Sequence, residues 1–122
     1  MAAGVATLRV LEEERVHPRL EQLGARLAAK VAPAAAAAGM TLVRVGSIFW
    51  LAPQADAPRA VEAVSVEGMQ RYGALHARLL ADGIYLAPSG WEVAFLSHAM
   101  DEADIDRLGG ALAAALAAGA AD

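Results

Sequence analysis

The sequence predicts an α+β fold in which a small, mainly antiparallel sheet packs against helices. Apolar residues recur every three or four positions over long stretches, which is typical of amphipathic helices. Shorter stretches rich in Val, Ile, Phe and Trp are bounded by Gly, Pro and Asp-Gly, which is typical of strands and turns. With 122 residues, no internal repeat and no linker, the chain fits a single domain over residues 1–122.

The first predicted helix covers residues 2–14, with Val5, Leu8 and Leu11 on one face. No Ser, Thr, Asp or Asn precedes it to cap its first turn. An uncapped start is what a helix would show if it had been cut from a longer protein. We therefore expect the chain to be one part of a larger protein.

The second predicted helix begins at His17-Pro18, because proline suits the first turn of a helix. Pro33 predicts a kink or an interruption, since its ring clashes with the carbonyl four residues earlier. Gly39 predicts the C-terminal end of this helix. Its buried stripe is predicted to consist of Leu20, Leu23, Leu27 and Val31.

The middle of the chain predicts two strand segments and a third helix. The strands cover residues 41–45 and 47–52, on either side of one glycine. After a loop, a helix runs from Ser65 or Glu67 to Ala81. The predicted inner face of this helix consists of Val66, Met69, Tyr72, His76 and Leu79 or Leu80.

The last third of the chain predicts two short strands and a fourth helix. The strands cover residues 84–86 and 91–96, with a Pro-Ser-Gly turn at 88–90 between them. Asp101 is predicted to cap the helix, with Asp104 three positions further on as in a capping box. The buried stripe of this helix is predicted to contain Ile105, Leu108, Leu112 and Leu116, and Gly119 is its predicted end.

Composition argues against several classes of function. The net charge of −4 and the single lysine, Lys30, argue against a nucleic-acid surface, which needs clustered cations. The absence of cysteine excludes disulfides and thiolate metal sites and fits a cytoplasmic protein. No segment predicts a membrane span or a secretion signal. The hydrophobic content of 57% is largely alanine, so the core is thin and would gain from a partner surface.

Few residue patterns in the chain predict chemistry. Phosphate-binding glycine motifs and zinc-type histidine spacings are absent from the sequence. We interpret His17, His76 and His98 as structural or solvated residues, because they share no motif. Ser97 and His98 are adjacent residues directly after a predicted strand, so in extended chain their side chains would point to opposite faces and could not form a catalytic pair.

The remaining candidates are aromatic or acidic. We interpret Trp50 and Trp91 as packing residues and the acidic run at 101–104 as a complement to a helix dipole. Glu92 follows a turn and stands among apolar residues. The residues alone leave two interpretations of Glu92 open, a surface residue or a carboxylate in a site assembled from several segments.

Several motifs stand together in an order that is typical of one enzyme family. Residues 83–89 read Gly-Ile-Tyr-Leu-Ala-Pro-Ser, followed by Trp-Glu at 91–92 and Phe-Leu-Ser at 95–97. Upstream, residues 44–49 contain Val-Gly-Ser-Ile-Phe. This pattern resembles the C-terminal end of the glutamate-1-semialdehyde aminomutases, a family of class III pyridoxal-phosphate aminotransferases. Residues 1–15 resemble the end of the family's interdomain helix, so the resemblance covers essentially the whole chain.

The resemblance implies the C-terminal small domain of an enzyme whose large, cofactor-binding domain is absent from this sequence. Such an enzyme uses pyridoxal or pyridoxamine phosphate to convert glutamate-1-semialdehyde to 5-aminolevulinate for tetrapyrrole synthesis. The lysine that holds the cofactor would lie in the large domain, and Lys30 is not expected to replace it. No catalytic or cofactor-binding residue is then expected in this chain, which would be inactive alone.

The resemblance also implies site residues and partners. Glu92 matches a small-domain glutamate that faces the substrate near the cofactor, where a carboxylate can pair with an ammonium group. Ser47 and Ser97 are two further substrate-binding candidates. The expected partners are the enzyme's own large domain and, for the full-length protein, a second copy in a homodimer. Neither a nucleic acid nor a membrane is expected as a partner.

Departures from the family pattern leave other hypotheses open. Residues 93–94 are Val-Ala where the family has Ala-Gly, and the family's histidine near position 100 is missing. The chain could therefore belong to another class III aminotransferase, or be a freestanding α+β interaction module. Both enzyme hypotheses predict an exposed apolar face on the first helix and around Phe49 and Trp50, with a tendency to self-associate. The module predicts a polar surface there.

Overall fold

Within the described residues, four helices and a three-stranded antiparallel sheet form the α+β fold that the sequence predicts. The computed structural model describes residues 1–119. The helices are α1 (Ala2–Glu13), α2 (Val16–Ala37), α3 (Val66–Ala81) and α4 (Glu102–Gly119), with a short 3₁₀ helix at Val61–Ala63. The strands are β1 (Thr41–Val45), β2 (Ile48–Ala52) and β3 (Ala94–Phe95), and β2 lies between the other two. Within residues 1–119, no helix has the length and apolarity that a membrane span requires.

The hairpin of β1 and β2 is the best-defined part of the sheet. Its five paired positions run from Thr41 opposite Ala52 to Val45 opposite Ile48. The two strands are joined by the two-residue turn Gly46-Ser47, in which Gly46 has φ 59°. Two-residue hairpin turns need a positive φ at the first turn position, where glycine carries no steric cost. The predicted strand pair around this glycine is confirmed.

The core lies where α2, α3 and α4 meet the inner face of the sheet. Alternation along β2 directs Phe49 and Leu51 into this core. The stripes predicted for α2 and α4 supply most of its other residues. The largest fully buried aliphatic side chains are Leu27 and Val31 of α2, Leu79 of α3, and Ile105 and Leu112 of α4.

Helix α2 is not interrupted at Pro33, so this part of the prediction is wrong. The helix continues to Ala37, and Pro33 lies exposed near its C-terminal end. Buried neighbours on the same helix, Val31 and Ala35, hold the backbone on the core on either side of the proline. The predicted end is confirmed, because Gly39 has φ 68° and the amide of Met40 donates to the carbonyl of Ala35.

Two predicted strands near the end of the chain are corrected. Residues 84–86 form no strand, and the strand predicted at 91–96 is reduced to Ala94–Phe95. The backbone groups of these segments are used by other partners. The carbonyl of Leu86 accepts from a side chain of α3, and the amide of Glu92 donates to the carbonyl of Ser89 within a turn. Those groups are therefore not available for a ladder.

The apolar face of α1 is exposed, and the predicted inner face of α3 differs in part from the structure. No residue of α1 is buried, so the apolar residues Val5 and Leu8 face solvent. In α3, Leu75 is buried and was not predicted, whereas Val66 is exposed. The sequence left open whether Leu79 or Leu80 faces the core, and in the structure Leu79 does. Ser65 caps α3 by accepting from the amide of Gly68 at 3.0 Å.

Helix α4 has the predicted capping box and is tied to α2 by ion pairs. Asp101 accepts from the amide of Asp104 at 2.9 Å, and Asp104 accepts from the amide of Asp101 at 3.0 Å. Arg26 of α2 contacts Asp106 and Glu102 of α4 at 2.7 Å each. Lys30 lies 2.8 Å from Asp106. These contacts align charged side chains along the exposed edge of the α2–α4 interface.

Neighbouring leucines of α3 give a matched test of the core. Leu79 is 1% exposed and Leu80 is 52% exposed. We expect Leu79→Ala to lower the free energy of unfolding by about 2–5 kcal/mol, because it leaves a cavity between α3 and the core. Leu80→Ala should change it by less than about 0.5 kcal/mol. Urea unfolding of the two variants measures both values, and equal losses would contradict the assignment of the inner face.

The α2–α4 ion pairs predict how stability depends on pH. Hydrogen bonds from Arg26 and then Lys30 hold the pKa of the Asp106 carboxyl well below its usual range. A lowered pKa in the folded state adds stability above the unfolded pKa of about 4, and this stability is lost as the pH falls further. We expect Asp106→Asn to lower the urea midpoint at pH 7 and to flatten its decline in acid. Asp56→Asn, which alters an exposed carboxyl, should keep the parent profile; parallel curves for Asp106→Asn and the parent would contradict the prediction.

Candidate functional site

The segment between α3 and β3, which we call the Glu92 loop (residues 84–93), carries the carboxylate predicted to face a substrate. Side chains from two elements hold its backbone. The hydroxyl of Tyr72 donates to the carbonyl of Ala87 at 2.7 Å. The indole Nε1 of Trp50 donates to the carbonyl of Gly90, also at 2.7 Å. The ring of His76 lies with Nε2 3.2 Å from the carbonyl of Leu86.

Gly90 allows the Glu92 loop to lie directly on α3. Gly90 is buried, and a Cβ atom there would lie 2.8 Å from Sδ of Met69 and 3.0 Å from Cβ of Tyr72. Both distances are shorter than ordinary van der Waals contacts. The position therefore needs a residue without a side chain, which the Pro-Ser-Gly turn predicted from the sequence provides.

Glu92 is exposed at the end of this turn, and its negative charge affects the pKa of Tyr72 in α3. The pKa of the Tyr72 hydroxyl is raised above its ordinary value, first by burial and second by the negative charge of Glu92. Tyr72 therefore stays protonated at neutral pH and keeps its role as a donor to Ala87. The carboxylate of Glu92 lies on a backbone segment that the fold itself fixes.

The structure brings Ser47 and Ser97 close together and leaves Glu92 apart from them. Ser47 lies in the hairpin turn, and its carbonyl accepts from the amide of Leu96 at 2.9 Å. Ser97 is the next residue, and its hydroxyl accepts from the amide of Ala99 at 3.2 Å. Both serines lie at the end of β3 where the chain leaves the sheet, whereas Glu92 precedes the start of that strand.

The other predicted candidates are bound to neighbouring groups or exposed. Ser97 and His98 follow the sheet, and His98 is 3.3 Å from the carboxylate of Glu14. His76 contacts the Glu92 loop, and His17 is exposed. No group of three or more His, Asp and Glu residues within residues 1–119 could hold a metal ion. Lys30 is ion-paired with Asp106 on the far helices, so it does not fit the role of a cofactor lysine.

A cleft of about 450 Å³ separates the two segments that were predicted as neighbouring strands. One wall is formed by residues 83–87 and another by residues 93–95. The first turns of α4 close it with Asp104 and Arg107. Sequence reasoning missed this cleft, because it arises from the hydrogen bonds that draw residues 86–90 toward α3 and Trp50. One signal in the sequence could have indicated it. Tyr and Trp side chains that pack in a core usually need a hydrogen-bond partner, and here Tyr72 and Trp50 find theirs in this segment.

The outer face of the sheet is apolar and open to solvent. Val45, Ile48 and Phe95 are consecutive register partners across the three strands, and they are 74%, 37% and 63% exposed. Trp91 and Val93, which shortly precede β3 in the chain, are exposed as well. An exposed apolar patch of this kind is typical of interaction surfaces.

The predicted apolar face is therefore present, but its centre is shifted. On α1 the prediction is confirmed, because Val5 and Leu8 are exposed. Around the hairpin it is wrong for Phe49, which is 3% exposed and belongs to the core. Trp50 is half-buried and bound to Gly90. The exposed face contains Ile48 instead of Phe49, because alternate strand residues face opposite sides of the sheet.

Gly90 and Gly73 predict opposite effects of an added methyl group. Gly90→Ala places a Cβ atom against Met69 and Tyr72, and we expect it to lower the free energy of unfolding by about 1–3 kcal/mol. At Gly73, in the middle of α3, nothing lies within 4 Å of an added Cβ. Gly73→Ala should stabilise the protein by about 0.5–1 kcal/mol, since alanine favours a helix. Urea unfolding distinguishes the two; a neutral Gly90→Ala would show that the loop does not pack closely on α3.

Comparisons with known proteins agree on one group of enzymes. No family model matches the chain. The chain is 38% identical over 118 residues to the glutamate-1-semialdehyde 2,1-aminomutase of Opitutus terrae, a match that covers 95% of this chain and 28% of the relative. It is 41% identical over 120 residues to the aminomutase of the same name from Sorangium cellulosum, covering 97% of this chain and 27% of that one.

Solved structures agree with this assignment. An omega-transaminase from Sphaerobacter thermophilus superposes with a TM-score of 0.73 at 26% identity, over 88% of this chain and 25% of the other. A structure described as a transaminase with PLP bound also gives a TM-score of 0.73, at 28% identity, over 97% of this chain and 26% of the other. The chain thus spans about a quarter of the length of the relatives it matches. The predicted resemblance is confirmed: along nearly its whole length the chain is homologous to a segment of the glutamate-1-semialdehyde 2,1-aminomutases, and it has the fold of the matching segment of transaminases.

Proposed function

We propose that this chain is the substrate-facing small domain of a glutamate-1-semialdehyde 2,1-aminomutase and that it is inactive alone. The observation that carries the proposal is the match to five relatives of that name, at 34% to 41% identity and over 87% to 97% of this chain. The complete protein would convert glutamate-1-semialdehyde to 5-aminolevulinate for tetrapyrrole synthesis. We expect it to be a cytoplasmic homodimer.

The cofactor would be held outside this chain. Pyridoxal or pyridoxamine phosphate supplies the amino-group chemistry of such an enzyme when it is bound. Lys30, the only lysine, is engaged by Asp106 on the exposed side of α2 and α4, so the residues present here do not fit a cofactor anchor. A large domain elsewhere in the complete protein would provide that lysine and the phosphate contacts.

The part of this chain in catalysis would be to hold a carboxylate against the substrate. Glu92 is exposed on a loop whose backbone is bound by Trp50 and Tyr72, so its position changes little when a substrate arrives. A carboxylate in that place can accept a charge-assisted hydrogen bond from an ammonium group of the substrate. Ser47 and Ser97 would offer hydroxyl groups at the opposite end of β3.

The large domain would dock on the apolar outer face of the sheet. Val45, Ile48 and Phe95 form a continuous strip there, and Trp91 and Val93 extend it toward Glu92. Covering this strip would remove apolar surface from water and enclose the Glu92 side of the sheet. The exposed apolar residues of α1 would add to the same interface.

Another class III transaminase is the second candidate. Its support is that both structural neighbours are described as transaminases, at 26% and 28% identity. The higher identity to aminomutases, 38% and 41% for two of them, favours the first candidate. A freestanding interaction module has less support, because the outer face of the sheet is apolar where a free module would need polar residues.

A chimera tests the proposed reaction. This chain would replace the matching quarter of the Opitutus terrae aminomutase, and the product would be assayed with glutamate-1-semialdehyde. We expect the chimera to form 5-aminolevulinate, and Glu92→Gln to lower its turnover about tenfold to a hundredfold, the loss expected for one hydrogen bond to a charged group. Glu62→Gln, which alters an exposed glutamate of the 3₁₀ helix, is the matched control and should leave turnover unchanged.

Two results would contradict the proposal. A folded chimera that transfers amino groups from other donors but forms no 5-aminolevulinate would favour the transaminase. Equal activity of the parent and Glu92→Gln chimeras would remove Glu92 from the site. The isolated chain should form no product in the same assay, and product formation by it would show that a complete site lies within these 122 residues.

A further inference from the structure

Three side chains from β2 and α3 bind three carbonyl groups within five residues of the Glu92 loop. Trp50, Tyr72 and His76 reach the carbonyls of Gly90, Ala87 and Leu86 at 2.7, 2.7 and 3.2 Å. Side-chain contacts with backbone carbonyls are common singly, but here they converge on one short segment. None of the three is explained by a helix cap or by the sheet ladder.

We propose that Trp50, Tyr72 and His76 are positioning residues for Glu92, which fix its loop within this chain before any other domain packs on it. The inference rests on the proposed function for the role of Glu92 itself. The loop is held from both sides, since Trp50 binds it from the sheet and Tyr72 and His76 bind it from α3. Glu92 follows the last bound carbonyl by two residues.

Packing supports the same conclusion. Gly90 lies against Met69 and Tyr72 so closely that no Cβ atom would fit. The ring of His76 lies between two tyrosine rings, with centroids 6.4 Å from Tyr72 and 6.1 Å from Tyr85. The charge of Glu92 also raises the pKa of Tyr72, after the larger effect of burial, so the carboxylate and this hydroxyl are electrostatically coupled.

The chain contains its own matched controls. It has two tyrosines and two tryptophans. One of each pair binds the loop from another element, whereas Tyr85 and Trp91 belong to the loop itself, are exposed and, within residues 1–119, make no side-chain hydrogen bond. Removing the hydroxyl of Tyr72 or the indole N–H of Trp50 can therefore be compared with the same change at an exposed position.

Amide hydrogen exchange of the 122-residue chain tests the positioning role. We expect Tyr72→Phe and Trp50→Phe to accelerate exchange at the amides of Trp91 and Glu92 about fivefold, the factor given by one hydrogen bond of ordinary net strength. Exchange in α4 should stay unchanged. Tyr85→Phe and Trp91→Phe should leave the Glu92 amide as in the parent. Equal acceleration in the controls, or acceleration that extends equally to α4, would overturn the proposal.

A titration of Tyr72 reports on the side chain of Glu92. In a Tyr85→Phe background, the ultraviolet absorbance of the phenolate follows Tyr72 alone. Glu92→Gln should lower the pKa of Tyr72, and Glu62→Gln should not. We expect the effect of Glu92→Gln to disappear when Trp50→Phe is also present, because the released loop no longer holds the carboxylate near the hydroxyl. The same decrease with and without Trp50 would overturn its role.

These measurements separate this inference from the proposed function. Neither needs a cofactor, a substrate or a large domain. If exchange and titration respond as expected but the chimera with Glu92→Gln keeps full turnover, the positioning of the loop stands and the catalytic role of Glu92 fails. If the chimera responds and the loop measurements do not, Glu92 acts in the reaction without being fixed by these three residues.

Discussion

The packing of α2 against α4 is the contact on which the rest of the structure depends. Leu27 of α2 and Ile105 and Leu112 of α4 are fully buried at this interface, and ion pairs of Arg26 and Lys30 with Asp106 line its exposed edge. The sheet lies on α2, and α3 packs on α4. Because Tyr72 and His76 project from α3 and Trp50 from the sheet, the Glu92 loop keeps its place only while these layers are held together.

The sequence predicted the helices and the hairpin well, because their signals are local. The stripe with Leu27 and Val31, the glycine at 39 and the Asp101–Asp104 capping box all lie within a few residues of the element they define. Strands at 84–86 and 91–96 were not predictable in the same way. The carbonyl of Leu86 binds His76 and the amide of Glu92 binds Ser89, and no local pattern shows that these partners take precedence over a neighbouring strand.

The candidate site was only partly visible in the sequence. Glu92 was identified through a family resemblance, since the residues around it left its role open. Ser47 and Ser97 were identified in the same way, and the structure places them at the other end of β3. Alternation in β2 predicted two faces but did not say which one is buried, so Phe49 was assigned to the exposed face although it belongs to the core.

The two-residue turn at Gly46-Ser47 has a consequence for the identity of the outer face. It sets Val45 opposite Ile48, and the next ladder sets Ile48 opposite Phe95. One additional residue in this turn would shift the pairing by one position and exchange the two sides of β2. Phe49 and Leu51 would then point to solvent, and Ile48 and Trp50 would enter the core. The length of this turn therefore determines which apolar face of β2 the protein exposes to a partner.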